Sequence, residues 1–327
     1  MRALPKSPIF LALIFLCGAT HSFAPKVHTL LLCRHGDSVW NGGEDGYPER
    51  FTGWSDVPLS KVGKNEAHQA ASTLASYIHD VDVCFTSTLS RALETAQVCL
   101  DVLNKQGKYP PVLRDARLNE RHYGALQGLI KKGVEQGKYG HSPELVQQWR
   151  RSWHVRPPAM KDDDPRLAEE IQRHGYSPNG ESLEMVAQDR IRPFLADTLL
   201  PMVESSVNSM TALVVAHANS LRALIGVMCS VQSNRNALSI LESLRVPTGV
   251  PLVLNFEYHA HYGPHLLDVP DPDECVVHEG SGWIRRPNAP PPDLGHPALR
   301  VWPLNRCIPT MPKVYTGYRL RQHSRGY

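Results

Sequence analysis

The stretch Val27-His28-Thr29-Leu30-Leu31-Leu32-Cys33, running straight into Arg34-His35-Gly36-Asp37-Ser38, constrains the fold of this chain more than any other. An apolar run of that length, closed by a sharp polar turn, reads as a buried strand of a parallel sheet. In such sheets, ligands bind in the crevice just past the carboxyl ends of the strands. That places Arg34 and His35 at the floor of a crevice, with Gly36 letting the backbone turn closely. A second apolar strand, Thr211 to Ala216, ends in His217-Ala218-Asn219. Two strands that each end in a histidine predict a two-histidine site. A strand-end histidine bonded to backbone is the plainer reading of either one alone. Arg34 beside the first, and Ser220 and Arg222 after the second, weigh against it.

The segments between alternate helix and strand. Ser60 caps a helix that continues to about Ile78. Val81 to Phe85 reads as a short strand ending in Thr86-Ser87. A helix opening at Thr88 or Ser90 carries Arg91 in its first turn and runs to Leu103. Residues 118–124 are polar and aromatic together, without a clean period, and an ordered loop of that kind usually carries function. A helix ending near Trp153 carries Arg150-Arg151. Residues 155–181, rich in Pro, Asp and Gly, read as a loop over the site. Helices are expected over 182–200, 220–227 and 235–243, and a last strand over 252–256. The alternation predicts one α/β domain over about 26–262, a three-layer sandwich with a mostly parallel central sheet.

Both ends differ in character. Residues 1–22 read as an export leader, with Arg2 and Lys6 at a basic start, an apolar middle and small residues near a cut after Ser22. The apolar stretch is short for a membrane span, so no stable insertion is expected once the leader is removed. Phe23-Ala24-Pro25 resembles the junction of plastid-targeting leaders in algae with secondary plastids. Delivery to a plastid through the ER is the expected route, with the secretory pathway or the cytoplasm as alternatives. The last 65 residues, 263–327, hold 11 of the 27 prolines and show no helix or strand period, which reads as a poorly ordered tail.

Composition removes several function classes. A formal charge of +3 over 327 residues lacks the concentrated basic field of a nucleic-acid binder. The seven cysteines are scattered and form no CxxC pair, so neither a disulfide framework nor a zinc or iron-sulfur site is expected. Cys33 and Cys84 read as small apolar fillers of buried strands. There is no GxxxxGK[ST] loop and no acidic cluster of metal-ligand spacing. Arg34, Arg91, Lys131, Arg150 and Arg151 instead offer guanidinium and ammonium groups for phosphate and carboxylate oxygens. A histidine can accept a phosphoryl group directly if the attacking nitrogen is unprotonated and the other is held by a backbone carbonyl. His35 meets that description, with His217 facing it, and Glu120 could pass the proton. Glu120 and Arg121 as a surface ion pair is the competing reading.

The motifs resemble those of cofactor-dependent phosphoglycerate mutases in the histidine phosphatase superfamily. The resemblance rests on Leu32 to Ser38 with Trp40-Asn41, Arg50-Phe51-Thr52-Gly53-Trp54 and Leu118 to Leu129 (LNERHYGALQGL). Gln148 to Arg151, Gly180-Glu181-Ser182-Leu183, His217 to Arg222 and Pro247-Thr248-Gly249-Val250-Pro251 extend it, so that it covers about 27–262. It implies a phosphoglycerate mutase-like fold and interconversion of 3-phosphoglycerate and 2-phosphoglycerate, primed by 2,3-bisphosphoglycerate, without a metal. His35 would be the phosphorylated nucleophile and Glu120 the general acid and base. His217, Arg34 and Arg91 would stabilise the transferring group. Ser38, Asn41, Thr52, Gly53, Ala218 and Asn219 would hold phosphate or substrate, and Tyr123, Lys131, Arg150 and Arg151 would line the substrate side. The partners implied are small phosphorylated three-carbon acids; self-association into a homo-oligomer stays open. A phosphatase on the same scaffold, and a binding protein with a dead site, are the alternatives.

The chain departs from the family pattern in places. Asp37 stands where glutamate is commoner, and Ala218 replaces a glycine, a liability if that backbone needs positive φ or close approach of phosphate. The loop 42–49 is longer than usual, the segment before Gly180 is shorter, and the proline-rich tail replaces a short end.

Overall fold

The computed structural model describes residues 27–257 apart from 43–46, 79, 104–106, 108 and 229–234, together with three short strands beyond them. The leader expected over 1–22 lies outside the described residues. So does most of the segment expected to be an unstructured tail. Within that segment, Cys275–His278 and Gly282–Arg285 pair as an antiparallel ribbon, and Val301–Trp302 pairs with the edge of the main sheet.

The main sheet is built on β1 (Val27–Arg34), β2 (Val83–Thr86), β3 (Val112–Arg114), β4 (Thr211–Ala216) and β5 (Leu252–Glu257). Its order is β3-β2-β4-β1-β5, followed by Val301–Trp302 at the edge. The first four strands run parallel; β5 pairs with β1 antiparallel, which gives the mostly parallel sheet the sequence predicts.

Alternation along β1 sends its side chains into two cores. Leu30 and Leu32 point to one, shared with Phe85, Phe194, Val214 and the helix Ala218–Met228. Leu31 and Cys33 point to the other, shared with α1 (Lys61–Tyr77) and α2 (Ser90–Leu103). Helices on both faces of one sheet make the three layers. Ser60 caps α1 as expected, its hydroxyl accepting the Gly63 N–H at 3.0 Å. Across the first core the Phe85 and Phe194 rings meet edge-on at 5.3 Å, a contact worth about 0.5–1.5 kcal/mol beyond the area it buries.

The long helix expected over 182–200 runs over 183–205 and passes through Pro193 and Pro201. Proline supplies no N–H to the i−4 carbonyl, and the two widened π-helical stretches, Val186–Ile191 and Leu195–Leu199, each precede a short segment containing one of these prolines. The last helix before β5 is Arg235–Ser243, as the spacing predicts.

The region 155–181 departs from expectation. It carries a helix, Pro165–His174, capped by the Asp164 side chain and ended by Gly175 at φ 81°. A smaller apolar cluster of Phe51, Tyr123, Leu126, Val134, Val146 and Trp149 packs outside the two main cores. It joins the 50–54 and 118–129 segments to the helices Lys131–Glu135 and Pro143–Arg151 above the sheet's carboxyl edge. Among the described residues, no helix is long and apolar enough to cross a membrane.

Candidate active site

Register places the two histidines. Arg34 of β1 pairs with Ala216 of β4, so His35 and His217 are the next residues on adjacent parallel strands. The His35 amide donates to the Ala216 carbonyl at 3.0 Å, and the two rings face each other at 4.9 Å between centroids. Gly36 can occupy its position only without a side chain, since a Cβ there would lie 2.1 Å from the Gly63 carbonyl oxygen.

The bonds around His35 fix its tautomer. Nδ1 sits 2.6 Å from the Gly36 carbonyl oxygen, which can only accept, so Nδ1 carries the proton. Nε2 then presents its lone pair, and Arg91 Nε donates toward it at 3.3 Å. Burial lowers the His35 pKa well below its usual value, helped by the charges of Arg91 and Arg34. His35 is therefore a neutral imidazole whose Nε2 is unprotonated.

Arg91 is held from three sides. Besides His35, it donates through Nη1 to the Ser55 carbonyl at 2.9 Å and through Nη2 to the Gly53 carbonyl at 2.8 Å. Burial pushes its pKa down to about 10, against the attraction of Glu120 and Asp56, which leaves it charged at neutral pH. Arg34 donates through Nη1 to the Val246 carbonyl at 2.9 Å, while its Nε is buried without a protein partner. His217 Nε2 lies 2.7 Å from Ser87 Oγ, and its Nδ1 is likewise buried and unpartnered. Burial holds the His217 pKa well below the usual range, with Arg91, His35 and Arg34 adding to the effect.

Glu120 is 9 % exposed, and its Oε1 accepts the backbone N–H of Arg121 at 2.8 Å and of Asn219 at 3.1 Å. This removes the reading of Glu120 and Arg121 as a surface ion pair: the Arg121 side chain donates to the Arg150 carbonyl at 3.2 Å and packs over the Tyr123 ring. Asn219 ties the loop further, its Nδ2 donating to the Tyr123 hydroxyl at 3.1 Å. Burial pushes the Tyr123 phenol up, but Arg121 and Lys131 beside it carry it below its usual value.

The remaining expected residues divide. Ser38 and Asn41 bond to one another, with Ser38 Oγ donating to Asn41 Oδ1 at 2.6 Å. Thr52 and Gly53 lie on the turn that grips Arg91; Gly53 has φ 52°, and a Cβ would meet Gln127 Oε1 at 2.1 Å. Ala218 opens the helix Ala218–Met228, and among the described residues the one non-glycine with positive φ is Asn179, so no backbone strain falls on Ala218. Lys131 and Arg150, expected to line the substrate side, are ion-paired with Glu49 and Glu135 respectively. Arg151 stays among like charges: burial lowers its pKa, and Arg150, Arg245 and Arg121 lower it further. An arriving anion would relieve that repulsion.

The sequence points to Arg121 only as an ion-pair candidate for Glu120, to Arg222 only as a neighbour of His217 and to Arg190 not at all; all three hold the site in place. Arg121 has a buried Nε without a partner, beside the substrate-side cations. Arg222 donates to Asn219 Oδ1 at 2.7 Å and to the Leu244 carbonyl at 2.6 Å. With Arg34 on Val246, it clamps the backbone before the 247–251 turn. Arg190 is buried, pairs with Glu181 and donates to the carbonyls of Asn119 at 2.8 Å and Glu120 at 3.2 Å. A strand-to-helix pattern cannot show such long-range pairings; only the repeated arginines in buried helices hint at them.

The sequence profile of the histidine phosphatase superfamily (branch 1) matches residues 30–239. A 2,3-bisphosphoglycerate-dependent phosphoglycerate mutase of Wigglesworthia glossinidia brevipalpis is 36 % identical over 236 residues, 70 % of this chain and 93 % of that protein. The enzyme of the same description from Baumannia cicadellinicola subsp. Homalodisca coagulata is 39 % identical over 235 residues, 70 % and 91 %. Among solved structures, a mycobacterial glucosyl-3-phosphoglycerate phosphatase superposes with a TM-score of 0.53 at 21 % identity, covering 74 % of this chain and 96 % of that one. That likeness supports the fold alone.

Proposed function

The chain belongs to the histidine phosphatase superfamily (branch 1), and from that premise we propose that it interconverts 3-phosphoglycerate and 2-phosphoglycerate through a phosphohistidine at His35, primed by 2,3-bisphosphoglycerate. The observation that carries this reading is the state of His35: neutral, its proton held on Nδ1 by the Gly36 carbonyl, with Nε2 unprotonated and facing Arg91.

The donors left open in the site fit a multiply charged phosphate ester. Arg34 Nε, His217 Nδ1 and Arg121 Nε are buried without protein partners, and each can donate to an anionic oxygen. The primer supplies the phosphoryl group that loads His35. Nε2 attacks phosphorus, the N–P bond forms and the bond to the ester oxygen breaks. Arg91, Arg34 and His217 receive the charge on the equatorial oxygens, preorganised by the bonds already described. When Ser87 donates its hydroxyl proton to His217 Nε2, His217 Nδ1 carries the proton it offers to phosphate. Both bonds to Glu120 fall on Oε1, so Oε2 can give a proton to the departing alkoxide and take one from the hydroxyl that attacks next. Burial of both groups beside one another favours return of the phosphoryl group to glycerate over its loss to water.

The second reading is a phosphatase. The same intermediate serves both, and burial of His35 and His217, 3 % and 0 % exposed, favours transfer because it keeps water from the N–P bond. The deciding assay follows 2-phosphoglycerate and inorganic phosphate from 3-phosphoglycerate, with and without 2,3-bisphosphoglycerate. The mutase reading predicts primer-dependent 2-phosphoglycerate in large excess over phosphate; phosphate as the main product would replace it.

A further inference from the structure

The helix Pro165–His174 brings a carboxylate under the site. Glu170 is 7 % exposed and accepts three hydrogen bonds: from His122 Nε2 at 2.7 Å, from Ser177 Oγ at 2.5 Å and from Gln127 Nε2 at 2.9 Å. The state of His122 follows from its other nitrogen. Nδ1 lies 2.8 Å from the Gly124 amide and 3.0 Å from the Gly180 amide, both donors, so Nδ1 is bare and Nε2 holds the proton given to Glu170. Gln127 is oriented in the same way: its Oε1 accepts the Trp54 amide at 2.7 Å, which turns its NH₂ to Glu170.

Two arms lead from Glu170 to the reacting groups. One passes through Gln127 to the Trp54 backbone, within the 53–55 turn whose Gly53 and Ser55 carbonyls hold Arg91 against His35. The other passes through His122 to the backbone of the loop that carries Glu120; Trp54 Nε1 closes the circuit by donating to the Glu120 carbonyl at 2.6 Å. We propose that Glu170 is a positioning residue for phosphoryl transfer, bracing Arg91 through Gln127 and the Glu120 loop through His122.

A carboxylate is required because the position faces three donors. An ionised carboxyl accepts on both oxygens, whereas a glutamine there would turn its own NH₂ toward either Gln127 or His122 and leave a buried clash of donors. Burial pushes the Glu170 carboxyl up, but the bonds from His122, Ser177 and Gln127 outweigh it and hold the pKa below the usual value. The group is ionised at neutral pH.

The inference rests on the phosphohistidine reading, and the test separates the two. Full-length wild type, Glu170→Gln and Glu169→Gln are compared for melting temperature, for the single-turnover rate of His35 labelling by radiolabelled 2,3-bisphosphoglycerate, and for kcat and KM with 3-phosphoglycerate. Glu169 pairs with the exposed Arg173 and serves as the neighbouring control. In Glu170→Gln the labelling rate and kcat are expected to fall by about 10- to 100-fold, the scale of a misplaced catalytic group, with KM changing far less. Glu169→Gln is expected to match wild type. A folded Glu170→Gln enzyme that labels at the wild-type rate, or one that loses only KM, overturns the proposal. Should Glu170→Gln fail to fold, Gln127→Met cuts the Arg91 arm alone; the same loss supports the proposal and unchanged labelling overturns it. Absence of label in wild type would instead remove the phosphohistidine reading, and the proposal with it.

Discussion

His35 and His217 face each other at 4.9 Å with their rings tilted by 59°, each the first residue past a strand in the same parallel pair. Neither ring is offset by a carboxylate at its own nitrogens: His35 bonds to a carbonyl and an arginine, His217 to a hydroxyl. Both are held neutral by burial and by the arginines around them. Two cations could not share that space, and the uncharged pair leaves the guanidinium groups to meet an incoming dianion.

That pairing gives stability a pH dependence. Both histidines have folded pKa values below the unfolded value of 6.5, so the unfolded chain binds more protons as pH falls past 6.5. Their contribution is complete above 6.5 and is lost on acidification, with a limiting slope of about 1.4 kcal/mol per pH unit for each histidine. Urea unfolding between pH 7.5 and 5.5 should show stability falling toward acid, and His35→Gln with His217→Gln should flatten that slope. An unchanged slope in the double variant would contradict the neutral pair.

Glu120 is oriented by two backbone amides and should govern the proton. Glu120→Gln is expected to lower kcat by about 10²- to 10⁴-fold, with a much smaller change in KM. Steady-state kinetics with 3-phosphoglycerate check it; turnover within threefold of wild type would assign the proton elsewhere.

The pair of Arg190 with Glu181 is buried, with side chains 3 % and 2 % exposed, and it anchors the 118–124 loop from below. Arg190→Met leaves a buried carboxylate without its partner and should cost about 3–5 kcal/mol, read from denaturant unfolding. A loss under about 1 kcal/mol would show that the pair contributes little.

The histidines were legible because a buried strand followed by a polar turn fixes where its last residues point, and two such strands were visible. Glu120 was legible as a polar loop residue beside aromatics. The helix Pro165–His174 was hidden by a composition that suggested a loop, although Asp164 before Pro165 and Gly175 after the last turn are the cap and stop a short helix uses. The pairing of Lys131 with Glu49 and of Arg150 with Glu135 was not legible, because the partners are 82 and 15 residues away and no local period links them. The same holds for Glu170, which meets Gln127 and His122 only once the helix Pro165–His174 has packed on the 118–129 segment.

The most direct test of the central claim is the covalent intermediate. Wild-type protein is incubated with radiolabelled 2,3-bisphosphoglycerate, quenched, digested and mapped. A single acid-labile, base-stable phosphoryl group on the peptide containing His35, absent in His35→Ala, is the predicted result. No adduct in wild type, or an adduct that persists in His35→Ala, would contradict the account.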